Sequence, residues 1–248
     1  MWWWPQTSGE LAQWVEAMGT ILTVIAALAI ALFQDKFRAW IMRPKLDVSI
    51  DLSPPDCHKT KLGLNLPGGV PRTDLGLRPA EYIDVYYFRL RVTNSGDEKA
   101  ESVEVFAAEL LKQQADGTFK EVDWFLPMNL IWSHFKPPEI FLPAISPGTY
   151  KHCDLAHILE PKRRQMVPGE RKTWPNINPD NTILSLDTIV KPFTDSYLLP
   201  FGTYHLTIIV AASNAKAVKK TLEITLTGDW YDDEQEMLGQ GIGIRLLD

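Results

Sequence analysis

YIDVYYFRLRVT, residues 82–93, followed by Asn94-Ser95-Gly96, decides how the rest of the chain is read. β-branched and aromatic residues fill it, glycine and proline are absent from it, and the Asn-Ser-Gly triplet is a turn signal. It predicts a strand with a sharp end. Residues 100–111 answer it, with Val103 and Val105 alternating against Ser102 and Glu104, so the two stretches are expected to form a hairpin-like or sheet-crossing unit. Downstream, Asp116-Gly117 turns the chain into a strand at 118–124, and further strands are expected at 140–142, 150–155, 183–190, 204–212 and 217–227. Upstream, residues 45–52 place Leu46, Val48, Ile50 and Leu52 on one face. Short strands between Pro, Gly and Asn turns, without alternating long helices, predict a mainly β fold, a sandwich. Leu-Pro followed by Gly-Thr-Tyr occurs twice, ending at Tyr150 and at Tyr204. Each tyrosine is expected to open a strand and to close a corner through its hydroxyl.

Residues 17–33, AMGTILTVIAALAIALF, carry no charge, and their length is at the lower limit for a hydrocarbon core of roughly 30 Å. Thr7-Ser8-Gly9-Glu10 reads as a capping box, Leu11, Trp14 and Val15 extend the apolar side, and Phe33, Phe37, Trp40 and Ile41 share one face before Pro44 stops the helix. A helix from 9 to 42 would be about 50 Å long at 1.5 Å per residue. Trp2, Trp3 and Trp4 at one end and Trp40 at the other suit the two headgroup levels, so the lipid bilayer is an expected partner. Glu10 and Glu16 precede the apolar run, while Lys36, Arg38, Arg43 and Lys45 follow it, which places the N-terminus outside and the rest in the cytoplasm. Ala27, Ala29 and Ala31 supply an A-x-A pattern, but a cleaved signal peptide begins with a basic segment and this chain does not. A buried core helix is the other rival, and a run apolar all round suits lipid better. The expected organisation is a single-pass anchor at 1–44, a β-sandwich at 45–228 with almost no linker, and an acidic tail at 229–248. Gly19, Thr20, Thr23, Ala26, Ala27 and Ala31 offer a small-residue face for homo-oligomers in the membrane.

Phe88-Arg89-Leu90-Arg91-Val92-Thr93-Asn94-Ser95-Gly96, with Ala100 and Val103-Glu104-Val105, resembles the early strands of immunoglobulin-like and fibronectin-type bacterial domains. Gly202-Thr203-Tyr204-His205-Leu206-Thr207-Ile208-Ile209-Val210 and Lys220-Thr221-Leu222-Glu223-Ile224-Thr225 resemble their closing hairpin. The resemblance implies an elaborated immunoglobulin-like β-sandwich and no particular activity. The chain exceeds such a domain through Pro-rich insertions at 53–80, 125–149 and 157–181, where specific function is expected to reside.

A net charge of −6 and a pI near 5.4 argue against a nucleic-acid polymer as partner. Cys57 and Cys153 are too few for a disulfide framework and are expected as free thiols. Cys57-His58 and His152-Cys153, with His157 nearby, are zinc-type residues, but strand neighbours point to opposite faces, so no metal site is expected. G-x-S-x-G, P-loop and H-E-x-x-H patterns are absent, and neither catalytic residues nor a cofactor are expected. Asp232, Asp233, Glu234 and Glu236 suit the first turn of a short helix. The candidate ligand-binding residues are Lys162, Arg163, Arg164, Arg171 and Lys172, in a loop punctuated by Pro161, Pro168, Pro175 and Pro179; an anionic headgroup, a phosphate-bearing ligand or an acidic protein partner fits them. The functional expectation is a membrane-anchored, non-enzymatic interaction or sensing module. The alternative is a membrane-perturbing effector of the bacterial antiviral kind whose cytoplasmic β-domain senses a nucleotide or protein signal, and the third reading is a metal-dependent hydrolase.

Overall fold

A helix with apolar residues on every side has nothing to gain from folding back on itself, and Ser8–Ile41 forms one unbroken helix, α1. The computed structural model describes residues 8–63, 82–134, 137–167, 170 and 178–247. It divides into two units, Met1–Arg43 and Pro44–Asp248. Within α1, Leu11–Ala31 is long and apolar enough to cross a membrane by length and composition, with a mean hydropathy of 1.9. Its two threonines return their hydroxyls to the helix: Thr20 Oγ1 donates to the Glu16 carbonyl at 2.9 Å and Thr23 Oγ1 to that of Gly19 at 2.8 Å. Trp40 falls in the last turns of α1; Thr7, Trp2, Trp3 and Trp4 lie outside the described residues.

The second unit is mainly β, two antiparallel seven-stranded sheets facing one core. The first sheet holds β1 (Leu46–Ser49), β2 (Cys57–Gly63), β3 (Tyr82–Asn94), β7 (Ile131–Trp132), β9 (Thr149–Leu159), β10 (Leu184–Leu186) and β11 (Leu198–Leu199). The second holds β4 (Ala100–Gln113), β5 (Phe119–Glu121), β6 (Met128–Asn129), β8 (Leu142–Ile145), β12 (Gly202–Ala212), β13 (Ala215–Leu226) and β14 (Ile242–Leu246). β3 lies between β9 on one side and β2 and β1 on the other, while β12 lies between β13 and β4. The stretch that opened the reading is thus a central strand, and its successor β4 crosses to the opposite sheet instead of folding back as a hairpin.

Period-two alternation aims Tyr86, Phe88, Leu90 and Val92 of β3 into the core, against Val105 and Ala107 of β4 and Leu206, Ile208 and Val210 of β12. Each large aliphatic or aromatic side chain so buried contributes about 1.5–3 kcal/mol. The opposite face of β3 is not uniformly wet. Ile83 and Val85 are buried there with Leu159, beneath a segment that includes α2 (Pro161–Arg164) and Val167. One end of the sheet receives the chain from α1: Leu46 pairs with Asn94, and Lys45 N donates to Asn94 Oδ1 at 3.0 Å. Buried Asn94 also donates to the carbonyls of Glu98 and Ile145, tying three connections together at that end. The Tyr82 end of the same strand lies about 40 Å away at roughly 3.3 Å per residue. α2 belongs to that far end, where Arg163 Nη1 donates to the Tyr82 carbonyl at 2.7 Å.

Several expectations change. The stretch at 53–80 was expected as an insertion, yet 57–63 is a strand paired with β3 from Cys57–Phe88 to Gly63–Tyr82; its lysines at an exposed edge hide the apolar alternation that marks a strand. β1 ends at Ser49, because Asp56 Oδ2 takes the Asp51 N–H at 3.2 Å and turns the chain early. The strand expected at 183–190 shortens to Leu184–Leu186, and Thr188 makes only an isolated bridge with Leu130. Of the two corner tyrosines, Tyr204 donates its hydroxyl to the Pro200 carbonyl at 2.9 Å. Tyr150 is exposed instead, its ring edge-on to His152 and under the Arg91 guanidinium. The acidic tail packs on the sandwich: β14 pairs along β13, and Asp233 caps α3 (Glu234–Glu236) by accepting from the N–H groups of Gln235 and Glu236.

Candidate functional site

The far end of the sandwich carries a cavity of about 410 Å³, within the range that holds small ligands. Three segments make it. The end of β9 and the start of α2 bring Glu160, Pro161 and Lys162; a polar turn brings Asn178, Asp180 and Asn181; the end of β13 brings Gly228, Asp229, Trp230 and Asp232. The last two segments are stitched together at one atom, since the Gly228 carbonyl accepts from Thr182 N at 2.8 Å and Asn181 Nδ2 at 3.1 Å. Gly228 has φ of +96°, and a Cβ there would sit 3.0 Å from the Asn181 side chain, so the close approach calls for glycine.

Trp230 forms the aromatic wall. Its ring stands edge-on to Tyr86 at 5.1 Å, and its indole N–H donates to Asp232 Oδ1 at 2.9 Å. Behind it lies the Lys59 ammonium, 5.5 Å from the Trp230 ring and 5.7 Å from Tyr86. Lys59 Nζ donates to the Asp232 carbonyl at 2.8 Å and pairs with Asp84 at 3.1 Å and the Asp232 carboxylate at 3.5 Å. The Trp230 N–H and then the Lys59 charge hold the Asp232 carboxyl below its usual range. Burial, followed by the acids Glu234 and Asp232, raises the Tyr86 hydroxyl, which donates to the Tyr231 carbonyl at 2.9 Å.

The basic residues singled out in the sequence do not converge within the described structure. Lys162 lines the cavity. Arg163 reaches the Tyr82 carbonyl and lies 3.8 Å from Glu160. Arg164 is buried and donates to the Glu170 carbonyl at 3.1 Å. Arg171 and Lys172 lie outside the described residues. Asn178, Asp180, Asn181, Asp229 and Trp230 were not singled out in the sequence. The signals for them are the polar turn Asn178-Pro179-Asp180-Asn181 and the Gly228-Asp229-Trp230 that closes β13, and their proximity across the fold is invisible along the chain.

A second polar cluster lies under the same insertion. His157 and Ser185 are register partners on β9 and β10, and His157 Nδ1 meets Asp187 Oδ1 at 2.7 Å. Serine, histidine and aspartate are thus neighbours, but Ser185 is 1% exposed and donates to Glu170 Oε1 at 2.8 Å. Lys191 Nζ donates to the same oxygen at 2.7 Å, and His157 Nε2 lies 3.8 Å from it. Burial alone would lower the His157 pKa, but Asp187 and then Glu170 outweigh it and raise it. The thiols are equally enclosed: Cys57 and Cys153 are free and buried, on strands either side of β3, and burial pushes Cys57 up to about 12. His58 and His152 face away from them; His152 Nε2 meets buried Asp56 at 2.9 Å, as Arg91 does at 2.8 Å. Among the described residues no group of three His, Cys, Asp or Glu side chains is placed to hold a metal ion.

One flank of the sandwich bears an apolar groove of about 310 Å³, between the chain that enters β6 and the segment that joins β10 to β11. Phe193 and Val190 stand beside it 88% and 74% exposed, with Leu126 and Ile140 opposite.

No family model matches the chain, and no curated protein matches it. Among solved structures, the X-ray structure of a Northeast Structural Genomics Consortium target, SoR45, is similar at 12% identity over 79% of this chain and 95% of that one. The TM-score is 0.25. What stands is a mainly β, sandwich-like unit of two antiparallel sheets with a long apolar helix at its N-terminal side.

Proposed function

We propose that the chain is a non-enzymatic sensing module, held at a membrane by α1, that recognises a small ligand in the cavity at the far end of its β-sandwich. The cavity carries this reading: three segments distant in sequence meet around a volume of about 410 Å³ with an aromatic wall and convergent polar groups. The non-enzymatic reading is supported by the enclosure of the reactive groups, since Ser185, Cys57 and Cys153 are buried and Ser185 is engaged with Glu170. An immunoglobulin-like type is supported by the strand order. β1-β3-β9, with β7 on the far side of β9, follows the A-B-E-D sheet, and β13-β12-β4 follows G-F-C. A cytoplasmic sandwich is supported by the lysines and arginines that follow the apolar run.

The test uses the full chain in a neutral detergent, with thermal unfolding followed in the presence of a polyamine, a cyclic nucleotide, inorganic phosphate and a neutral disaccharide. A ligand at a hundred times its Kd stabilises by about 2.7 kcal/mol. At least one of the four is expected to raise the melting temperature of the wild type and to leave Asn178→Trp, whose indole crowds the cavity without removing a charge, unshifted. If none acts, or if wild type and Asn178→Trp respond alike, the cavity is not a recognition site.

A further inference from the structure

Resting on that reading, we propose that the ligand is a linear aliphatic polyamine, an extended organic cation with ammonium groups separated by methylenes. Charge points to a cation first. Among the described residues, Glu160, Asp180, Asp229 and Asp232 line the cavity with Lys162 as the one cation, a balance that repels an anionic nucleotide or phosphate. Two of these carboxylates are already engaged, Glu160 near Arg163 at 3.8 Å and Asp232 with Trp230 and Lys59. Those of Asp180 and Asp229 have no cation beside them among the described residues.

The distribution of that charge then separates an organic cation from a metal ion. A divalent ion needs several oxygens gathered within about 2.5 Å of one point. Among the described residues no three acids, histidines or cysteines are so gathered. Carboxylates spread around a cavity match charges spread along a chain.

The third observation concerns the aromatic rings. The protein already seats an alkylammonium in this corner: Lys59 Nζ lies 5.5 Å from the Trp230 ring and 5.7 Å from the Tyr86 ring, and Asp84 and the same Asp232 complete its coordination. Aromatic faces attract an ammonium through the ring quadrupole, and their edges accept the methylenes that join one ammonium to the next. The lysine displays, within the chain, the contacts that a polyamine would repeat on the cavity side of Trp230. Asp180 and Asp229 then receive its ammonium groups.

Isothermal titration of spermidine into the full chain in neutral detergent, at low ionic strength, tests the proposal. Saturable one-site binding is expected, weakened by about tenfold in Asp180→Asn/Asp229→Asn, as the loss of two partly exposed charge contacts implies. Lys162→Gln is expected to tighten it. Glu121→Gln/Glu139→Gln removes the same charge from exposed positions elsewhere and is expected to leave it unchanged. Equal weakening in both double variants, or displacement of spermidine by magnesium at matched ionic strength, reduces the effect to diffuse attraction by an acidic protein and overturns the proposal. A cyclic nucleotide, phosphate or disaccharide that binds in a manner sensitive to Asn178→Trp, where spermidine does not, overturns the polyamine while leaving the recognition site standing. Silence from all four ligands removes both.

Discussion

His157 is the most consequential single residue outside the cavity. Asp187 on its Nδ1 and Glu170 near its Nε2 lift its pKa against burial, with Lys191 subtracting part of the gain. A histidine raised in the folded state contributes stability that is complete below its unfolded value of about 6.5 and is lost as pH rises through the folded value. The melting temperature of the full chain is therefore expected to fall as pH rises from about 6.5 through the raised folded value. His157→Gln is expected to melt lower below about pH 6.5, where Asp187 and buried Glu170 lose a cation, and to fall less as pH rises. Equal slopes for the two proteins count against the assignment. Little of this was legible in the sequence. His157 was noticed there only as a third zinc-type residue near Cys153, because its partners Glu170, Ser185 and Asp187 arrive through sheet pairing with β10 and the return of the insertion.

At the scale of elements, strands whose two faces differ declared themselves and those at wet edges did not. β3, β4, β12 and β13 alternate or run apolar because each borders the core, and the sequence places all four. β2, with Lys59 and Lys61, has its identity set by the backbone ladder to β3, which composition does not record. The cavity was half legible: Lys162 came from the charge run, while Asp180, Asp229 and Trp230 needed Gly228 to join two loops. The π-helical turn Met237–Gly241 between α3 and β14 has its own tight packing. A Cβ on Gly241 would lie 2.6 Å from Met237 Sδ, whereas one on Gly239 meets nothing within 4 Å. Gly241→Ala is expected to lower stability by about 1–3 kcal/mol in chemical unfolding, as overpacking does. Gly239→Ala, on the same turn, is expected to change little; an equal loss in both would count against the clash.

For the whole molecule, orientation governs which ligands the cavity meets. Reporter fusions after Asp248, one active only in the cytoplasm and one only outside, are expected to give cytoplasmic signal, following the positive charges at Lys36, Arg38, Arg43 and Lys45. Signal outside would reverse the anchor and turn the search toward extracellular cations. The long apolar helix was legible as composition, whereas the separation of the cavity from the chain's arrival at Asn94 emerges only when β3 is seen as one strand. β14 has a meaning at this scale as well. It lies along β13, from Leu222–Leu246 to Leu226–Ile242, and is the edge of that sheet, a short one of five residues that carries Arg245 paired with Glu223 at 2.7 Å. Short, charged edges are poor templates for a second copy. Molecules tethered in a plane collide far more often than the same number free in solution. If α1 holds the chain in a bilayer, as proposed above, a long apolar edge would zip one molecule to the next, and so brief and charged a border would let neighbours jostle in two dimensions and still report separately.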